Sequence, residues 1–155
     1  MAKKLNIPLN FEEDNTLLGI SWHKRDFQLV FHLNKEMKMN FMRVDDFFYC
    51  HGPATEGATF PLYYYREDNT KLTWFLISNI IPQTSLVPAL SSTDFFILIN
   101  GRITPAETAA VIAKIKTIQG VLTAYKLDLS RIKNIELILT GLELHMISAL
   151  KKLNR

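Results

Sequence analysis

Leu86–Gly101 reads LVPALSSTDFFILING, and the reading of this stretch decides the fold. It opens on a proline corner and passes through the polar gap Ser91-Ser92-Thr93 to Asp94. Five large apolar residues follow, Phe95 to Ile99, and then an Asn100-Gly101 turn. A short continuous apolar run bounded by turn residues is the pattern of a strand buried on both faces. Asp94 to Asn100 is therefore predicted as a buried strand. The chain before it must supply neighbouring strands, and the chain after it must cover a face.

After the turn, Thr104-Pro105-Ala106-Glu107 has the form of a capping box, with threonine at the cap and proline at the first helical position. Val111, Ile112, Ile115 and Ile118 recur at helical spacing as an inner face, and Gly120 is the expected stop. Val121 to Leu127 alternates as a strand does. Strand, helix and strand with short links make a split β-α-β unit, and a parallel pair of this kind has a right-handed crossover. Ser130 is the expected cap of a last helix reaching about Leu153, with the stripe Ile135, Ile138, Leu139, Leu142, Met146 and Leu150. Gly141 is its weak point, at a cost of about 1 kcal/mol against alanine.

On the other side of the central stretch, Phe41–Cys50, Thr59–Arg66 and Lys71–Asn79 read as an antiparallel meander, with Glu67-Asp68-Asn69-Thr70 as a hairpin turn. A helix starting between Ser21 and Asp26 and ending near Met39 precedes it. Its inner face is read as Phe27, Val30, Phe31, Asn34 and Met37. Asn34 then lies among apolar neighbours and should hydrogen-bond to main chain. Leu5–Phe11 alternates around Pro8, which places it as an edge strand. The fold class is α+β: one domain over residues 1–155, an antiparallel-rich sheet with helices mainly on one face, in a decorated ferredoxin-like or ACT-like arrangement.

At 155 residues a chain can bury about 68–70% of its unfolded surface and needs no staples. Hydrophobic residues make up 48% and charged residues 21%, the balance of a soluble globular domain. One cysteine excludes an internal disulfide framework. No stretch has the apolar run of a signal peptide or the roughly 20 apolar residues of a membrane span, so a cytoplasmic location is expected. The net charge of +3 is spread along the chain, and a nucleic-acid footprint would want it clustered.

The sequence holds no catalytic constellation. Cys50 and His51 are adjacent in a strand and point to opposite faces, so they do not share a proton. CxxC, HxH, HExxH and a Gly-rich phosphate loop are all missing, so no cofactor site is assigned, and a metal site would have to be assembled from distant residues such as His23, His51, Asp45 and Asp46; none is expected. Asp94, at the entry of the buried strand, reads as a turn residue satisfying backbone donors rather than a general base. His23, with Lys24, Arg25 and Asp26, reads as a solvated helix start, against a small anion site. Tyr63-Tyr64-Tyr65, with Trp74 and Phe75, would suit base stacking, but no RNA-binding signature accompanies them. A core face and an interface explain them better.

Several of these residues carry a resemblance. Val87-Pro88-Ala89, three residues, then Thr93-Asp94-Phe95 resembles the signature of the IPExxxVDY family, a bacterial family of unknown function. Pro88 and Asp94 match outright, Val87 and Phe95 are close substitutes, and Ala89 and Thr93 replace the glutamate and the valine. Leu18-Gly19-Ile20, His23, Asp26-Phe27, Leu33-Asn34 and Leu76-Ile77-Ser78-Asn79 are similar too, in the same order, over roughly Asn6 to Leu139. The resemblance implies an α+β fold and no known activity. The family-like positions are Asn34, Pro88, Asp94 and Phe95.

The expected function is that of a non-enzymatic cytoplasmic domain acting through protein contacts or self-association. The alternatives are a small-molecule-binding regulatory module, by fold analogy, and an RNA-associated accessory protein. The aromatic meander has two faces, and the one the other helices leave open must be covered by the terminal helix or by another molecule; a homodimer is expected. Tyr63, Tyr65 and Phe75 are the candidate interface residues, taken to share one face.

Overall fold

The computed structural model describes residues 14–153, so the expected strand Leu5–Phe11 lies outside the described residues. In chain order the elements are β1 (Asn15–Trp22), α1 (Asp26–Met37), β2 (Met42–Tyr49), β3 (Ala58–Arg66), β4 (Thr73–Ser78), β5 (Phe95–Asn100), α2 (Pro105–Lys116), β6 (Val121–Leu127) and α3 (Ile135–Leu153). Single 3-10 turns lie at Pro88–Leu90 and Leu129–Arg131. The six strands form one sheet in the order β2-β3-β4-β5-β1-β6, and every neighbouring pair is antiparallel.

β5 is the buried strand expected, with Phe95 to Ile99 all inside. It lies between β4 and β1. Its side chains alternate between two cores. Phe95, Ile97 and Ile99 join Leu29 and Leu33 of α1 and Ile115 of α2. Phe96 and Leu98 join Ile138, Leu142 and Met146 of α3. Two of the three described helices thus share a face, and α3 holds the other. β5 and β6 are both antiparallel to β1 and flank it, which is the split β-α-β unit. With β4, the order β4-β5-β1-β6 and both α1 and α2 on one face correspond to a β-α-β-β-α-β core. The β2-β3 hairpin is inserted after α1, and α3 is added behind the sheet.

β1 is a strand that alternation does not announce, since Leu17, Leu18 and Ile20 are not interleaved with polar residues. All of it beyond Asn15 is buried, so both faces are apolar. Inside it, Gly19 leaves room for Tyr125 and Thr93: a Cβ there would stand 2.9 Å from the Tyr125 ring and 3.0 Å from Thr93 Cγ2.

The inner face of α1 differs from the expected one. Leu29, Val30 and Leu33 are buried, while Phe27 and Phe31 are 59% and 60% exposed. Leu29, Val30, Leu33 and Met37 follow helical spacing as well as the expected set does, and the sheet takes this aliphatic stripe. Phe31 stands on the flank beneath Lys35 Nζ, 6.0 Å from its ring centroid. Asn34 is half-buried and makes the main-chain bonds expected. Phe41 N donates to its Oδ1 at 2.8 Å, and its Nδ2 donates to the Phe41 carbonyl at 3.3 Å.

Two helix boundaries are corrected. Ser130 does not cap α3. Asp128 Oδ1 accepts from Ser130 N at 3.0 Å and Ser130 Oγ at 2.7 Å, which closes a separate 3-10 turn, and Asn134 with φ 64 leads into the helix. Gly120 does not end α2, which is capped at Thr117. It takes φ 106 in the turn into β6, where a Cβ would meet the Trp22 ring at 2.7 Å.

Candidate functional site

The polar residues of the central stretch are occupied in holding the fold. Asn79, fully buried, accepts at Oδ1 from Val87 N at 2.7 Å and donates from Nδ2 to the carbonyls of Leu90 (2.9 Å) and Thr93 (2.8 Å). Its own main chain bonds Leu86 and Asp94, so one asparagine fixes both ends of the loop before β5. Asp94 Oδ2 accepts from Trp22 N at 2.8 Å, which is the turn-residue role. His23 Nε2 lies 3.8 Å from the same oxygen with its side chain 73% exposed. Thr93 and Tyr125 share a hydroxyl–hydroxyl hydrogen bond. Among the described residues, no buried side-chain nitrogen or oxygen lacks a hydrogen-bond partner. Pro88 begins the 3-10 turn and, like Ala89, is exposed, whereas Phe95 is core.

The other sequence candidates are accounted for in the same way. The Cys50 thiol donates toward the carbonyls of Gly52 and Thr55 at 3.0 and 3.1 Å. His51 Nε2 donates to the Ser85 carbonyl at 2.8 Å. The two do not act as a pair. No group of three or more His, Cys, Asp or Glu among the described residues could hold a metal ion.

Tyr63, Tyr65 and Phe75 do not share a face. Tyr63 pairs with Leu76 and Tyr64 with Phe75 across the hairpin, so face parity reverses from β3 to β4. Tyr63 and Tyr65 pack on the α1 side, and Phe75 packs on the α3 side. Tyr63 and Phe75 are buried within the chain. The Tyr63 hydroxyl donates to Asp26 Oδ2 at 3.0 Å. Burial pushes its pKa up, and the nearby Asp26 carboxylate adds to the shift. The tyrosines are therefore not laid out on an open sheet face, as base stacking would need.

What the polar residues leave open lies around α3. Six strands about 4.8 Å apart make a face about 24 Å wide, and one helix is about 10–12 Å across. α3 cannot cover that face, and a cleft remains on each side of it. One, of 570 Å³, runs between Tyr64, Phe75 and Leu98 of the sheet and Leu142, Met146 and Leu150 of α3. The other, of 610 Å³, lies between the 3-10 turn at Pro88–Leu90, the end of β2 and the start of α3.

α3 is also apolar on its outside. Leu137, Leu144 and Ile147 are 63%, 63% and 56% exposed. Their spacing of seven and then three residues puts them on one outer stripe. The helix is anchored to β2, at one edge of the described sheet: His145 Nε2 donates to the Asp45 carbonyl at 2.9 Å, and Lys152 Nζ reaches Asp45 Oδ2 at 2.5 Å. That hydrogen bond from Lys152 holds the Asp45 carboxyl below the usual range. The sequence reading followed only the inner stripe of this helix. The signal for the outer one was a second set of leucine and isoleucine at helical spacing.

No family model matches the chain, and neither a curated protein nor a solved structure does.

Proposed function

We propose that the protein is a non-enzymatic domain acting through protein contacts, and that its contact is with a second copy of itself along α3. The observation that carries this reading is the exposed stripe Leu137, Leu144 and Ile147 on a helix whose opposite side is already core. Large apolar side chains aligned on one face mark an interaction surface rather than the scattered exposure of an ordinary monomer. Tyr63 and Phe75, two of the aromatic residues that first suggested a dimer, are buried within the chain instead.

Charge favours a second copy. α3 carries Glu136 in its first turn and Lys151 and Lys152 in its last. A two-fold axis near Leu144 packs the helices antiparallel, with Leu144 beside its symmetry mate and Ile147 near Thr140 of the other copy. It brings Glu136 of each copy toward Lys151 of the other. A parallel pair would set like charges together. An isologous contact of this kind closes on itself and stops at two.

The test is light scattering on a size-exclusion peak at about 50 µM, a concentration well above the Kd of a micromolar dimer. The native chain should elute at twice its monomer mass. Leu144→Asp, at a position already in solvent, should elute as a folded monomer with an unchanged far-UV circular dichroism spectrum, and should melt lower than the native chain by the stability that association adds. A native monomer at that concentration, or a Leu144→Asp dimer, would overturn the reading.

A further inference from the structure

We propose that the cleft between the 3-10 turn and the start of α3 binds a small organic carboxylate with an apolar body. A different surface carries this inference, and it stands whether or not α3 pairs with a second copy. The cleft floor is apolar: Leu86, Val87, Ile132 and Ile138 line it, and all four are core residues. Its volume of 610 Å³ falls within the range of about 300–1,000 Å³ that small-molecule sites occupy.

The lip is cationic. Arg131, Lys133 and His51 stand there against one carboxylate, Asp128. With His51 neutral, two positive charges and one negative leave +1. Asp128 is already engaged by Arg131 Nε at 3.5 Å and by Ser130. Lys133 has no ion-pair partner among the described residues. His51 donates from Nε2 to the Ser85 carbonyl, so Nδ1 is left to accept in the neutral ring, or to donate to an anion in the protonated one. An apolar floor with a net positive lip selects a ligand whose body is hydrocarbon or aryl and whose head is a single anion. The body would lie along Leu86, Val87 and Ile138, with the carboxylate at Lys133. A cationic amphiphile of the same length would meet the wrong charge at the lip, and a neutral one would leave Lys133 unmatched.

The test is isothermal titration calorimetry of the full chain at pH 7 with sodium decanoate, below its micelle concentration. Decyltrimethylammonium serves as the charge-reversed probe of equal chain length. Decanoate should bind one to one and the ammonium much more weakly. Ala89→Trp, an exposed position on the cleft wall, should remove the heat of binding. Lys133→Glu, at the exposed lip, should weaken decanoate by at least about threefold. It guards against the case in which the tryptophan variant fails to fold. No heat with decanoate up to millimolar concentration at either of two temperatures about 25 °C apart would overturn the assignment, since the heat-capacity change of apolar burial keeps the enthalpy from vanishing at both. So would equal binding of both probes, or full binding by Ala89→Trp or Lys133→Glu.

Discussion

At the scale of single residues, the chain uses its short polar side chains as staples, and the capping box of α2 shows the logic most plainly. Thr104 Oγ1 accepts from Glu107 N at 3.1 Å, and Glu107 Oε1 accepts from Thr104 N at 2.9 Å. Both donors are helix-end N–H groups with no partner inside the helix. Thr104→Ala should lower stability by about 0.5–2 kcal/mol in chemical denaturation. The glutamate side of the box makes a pH-dependent prediction. The hydrogen bond from the Thr104 backbone, followed by that with its side chain, holds the Glu107 carboxyl below its ordinary range. A carboxylate depressed in the folded state contributes stability above its unfolded pKa and loses it as pH falls through the folded value. Glu107→Gln should therefore shift the denaturation midpoint at pH 7, and the difference from the native chain should close as pH drops below the ordinary glutamate range. A difference that stays constant from pH 7 to pH 3 would show that the carboxylate has no such role. These residues were legible in the sequence because their partners lie three positions away. Asn34 was legible in kind, since an amide near an apolar face needs main-chain partners. Asn79 was quoted only for the family resemblance: its partners, Val87, Leu90 and Thr93, come from a loop whose path the sequence does not display.

At the scale of elements, legibility followed the number of faces an element buries. The meander strands and β5 were readable from alternation or from a bounded apolar run. β1, apolar on both faces and interrupted by Gly19, carried neither signal cleanly. α1 offered two apolar stripes of equal periodicity, and only the aliphatic one fits against Ile20, Leu76 and Ile97 of the sheet. α3 is a further case of two stripes, and here both are real: one packs on the sheet and one faces solvent. Gly141 sits between them. A Cβ there would come 3.4 Å from Phe47 Cζ and 3.6 Å from Phe47 Cε1, an ordinary packing distance, so alanine needs no rearrangement. Gly141→Ala should then stabilise the protein by about 0.5–1 kcal/mol, by cutting the freedom of the unfolded chain and raising helix propensity. Thermal denaturation at fixed protein concentration checks this. A lower midpoint would mean that Phe47 cannot accept the methyl group.

At the scale of the molecule, the two cores are built from the same strands. β1, β3, β4 and β5 each send alternate side chains to the α1–α2 side and to the α3 side. Neither layer can detach without exposing the back of the other, so the sheet should unfold as one unit. Within it, protection should follow position in the strand order. β5 has a partner on each side and is apolar on both faces. β2 lies at one edge, and its pairing with β3 is irregular between Val44 and Phe47. β6 lies at the other edge of the described sheet, with Leu122, Thr123 and Lys126 exposed. Amides that open only with the whole fold exchange at the global free energy, and edge amides open by smaller fluctuations. Native-state hydrogen exchange should therefore find the slowest amides in Phe96–Ile99 and their neighbours Leu18 and Leu76, with β6 and the outer half of β2 exchanging faster. Denaturant should bring the rates together as global unfolding takes over. The β2-β3 hairpin decides between one unit and two. If it were a separate addition to the β4-β5-β1-β6 core, Phe60 and Leu62 would exchange with an opening energy well below that of Ile97. Both are fully buried under α3, and β3 pairs with β4 along five residue pairs. Their exchange should instead converge on that of β5, and a persistent gap between the two would divide the molecule at the β3-β4 boundary.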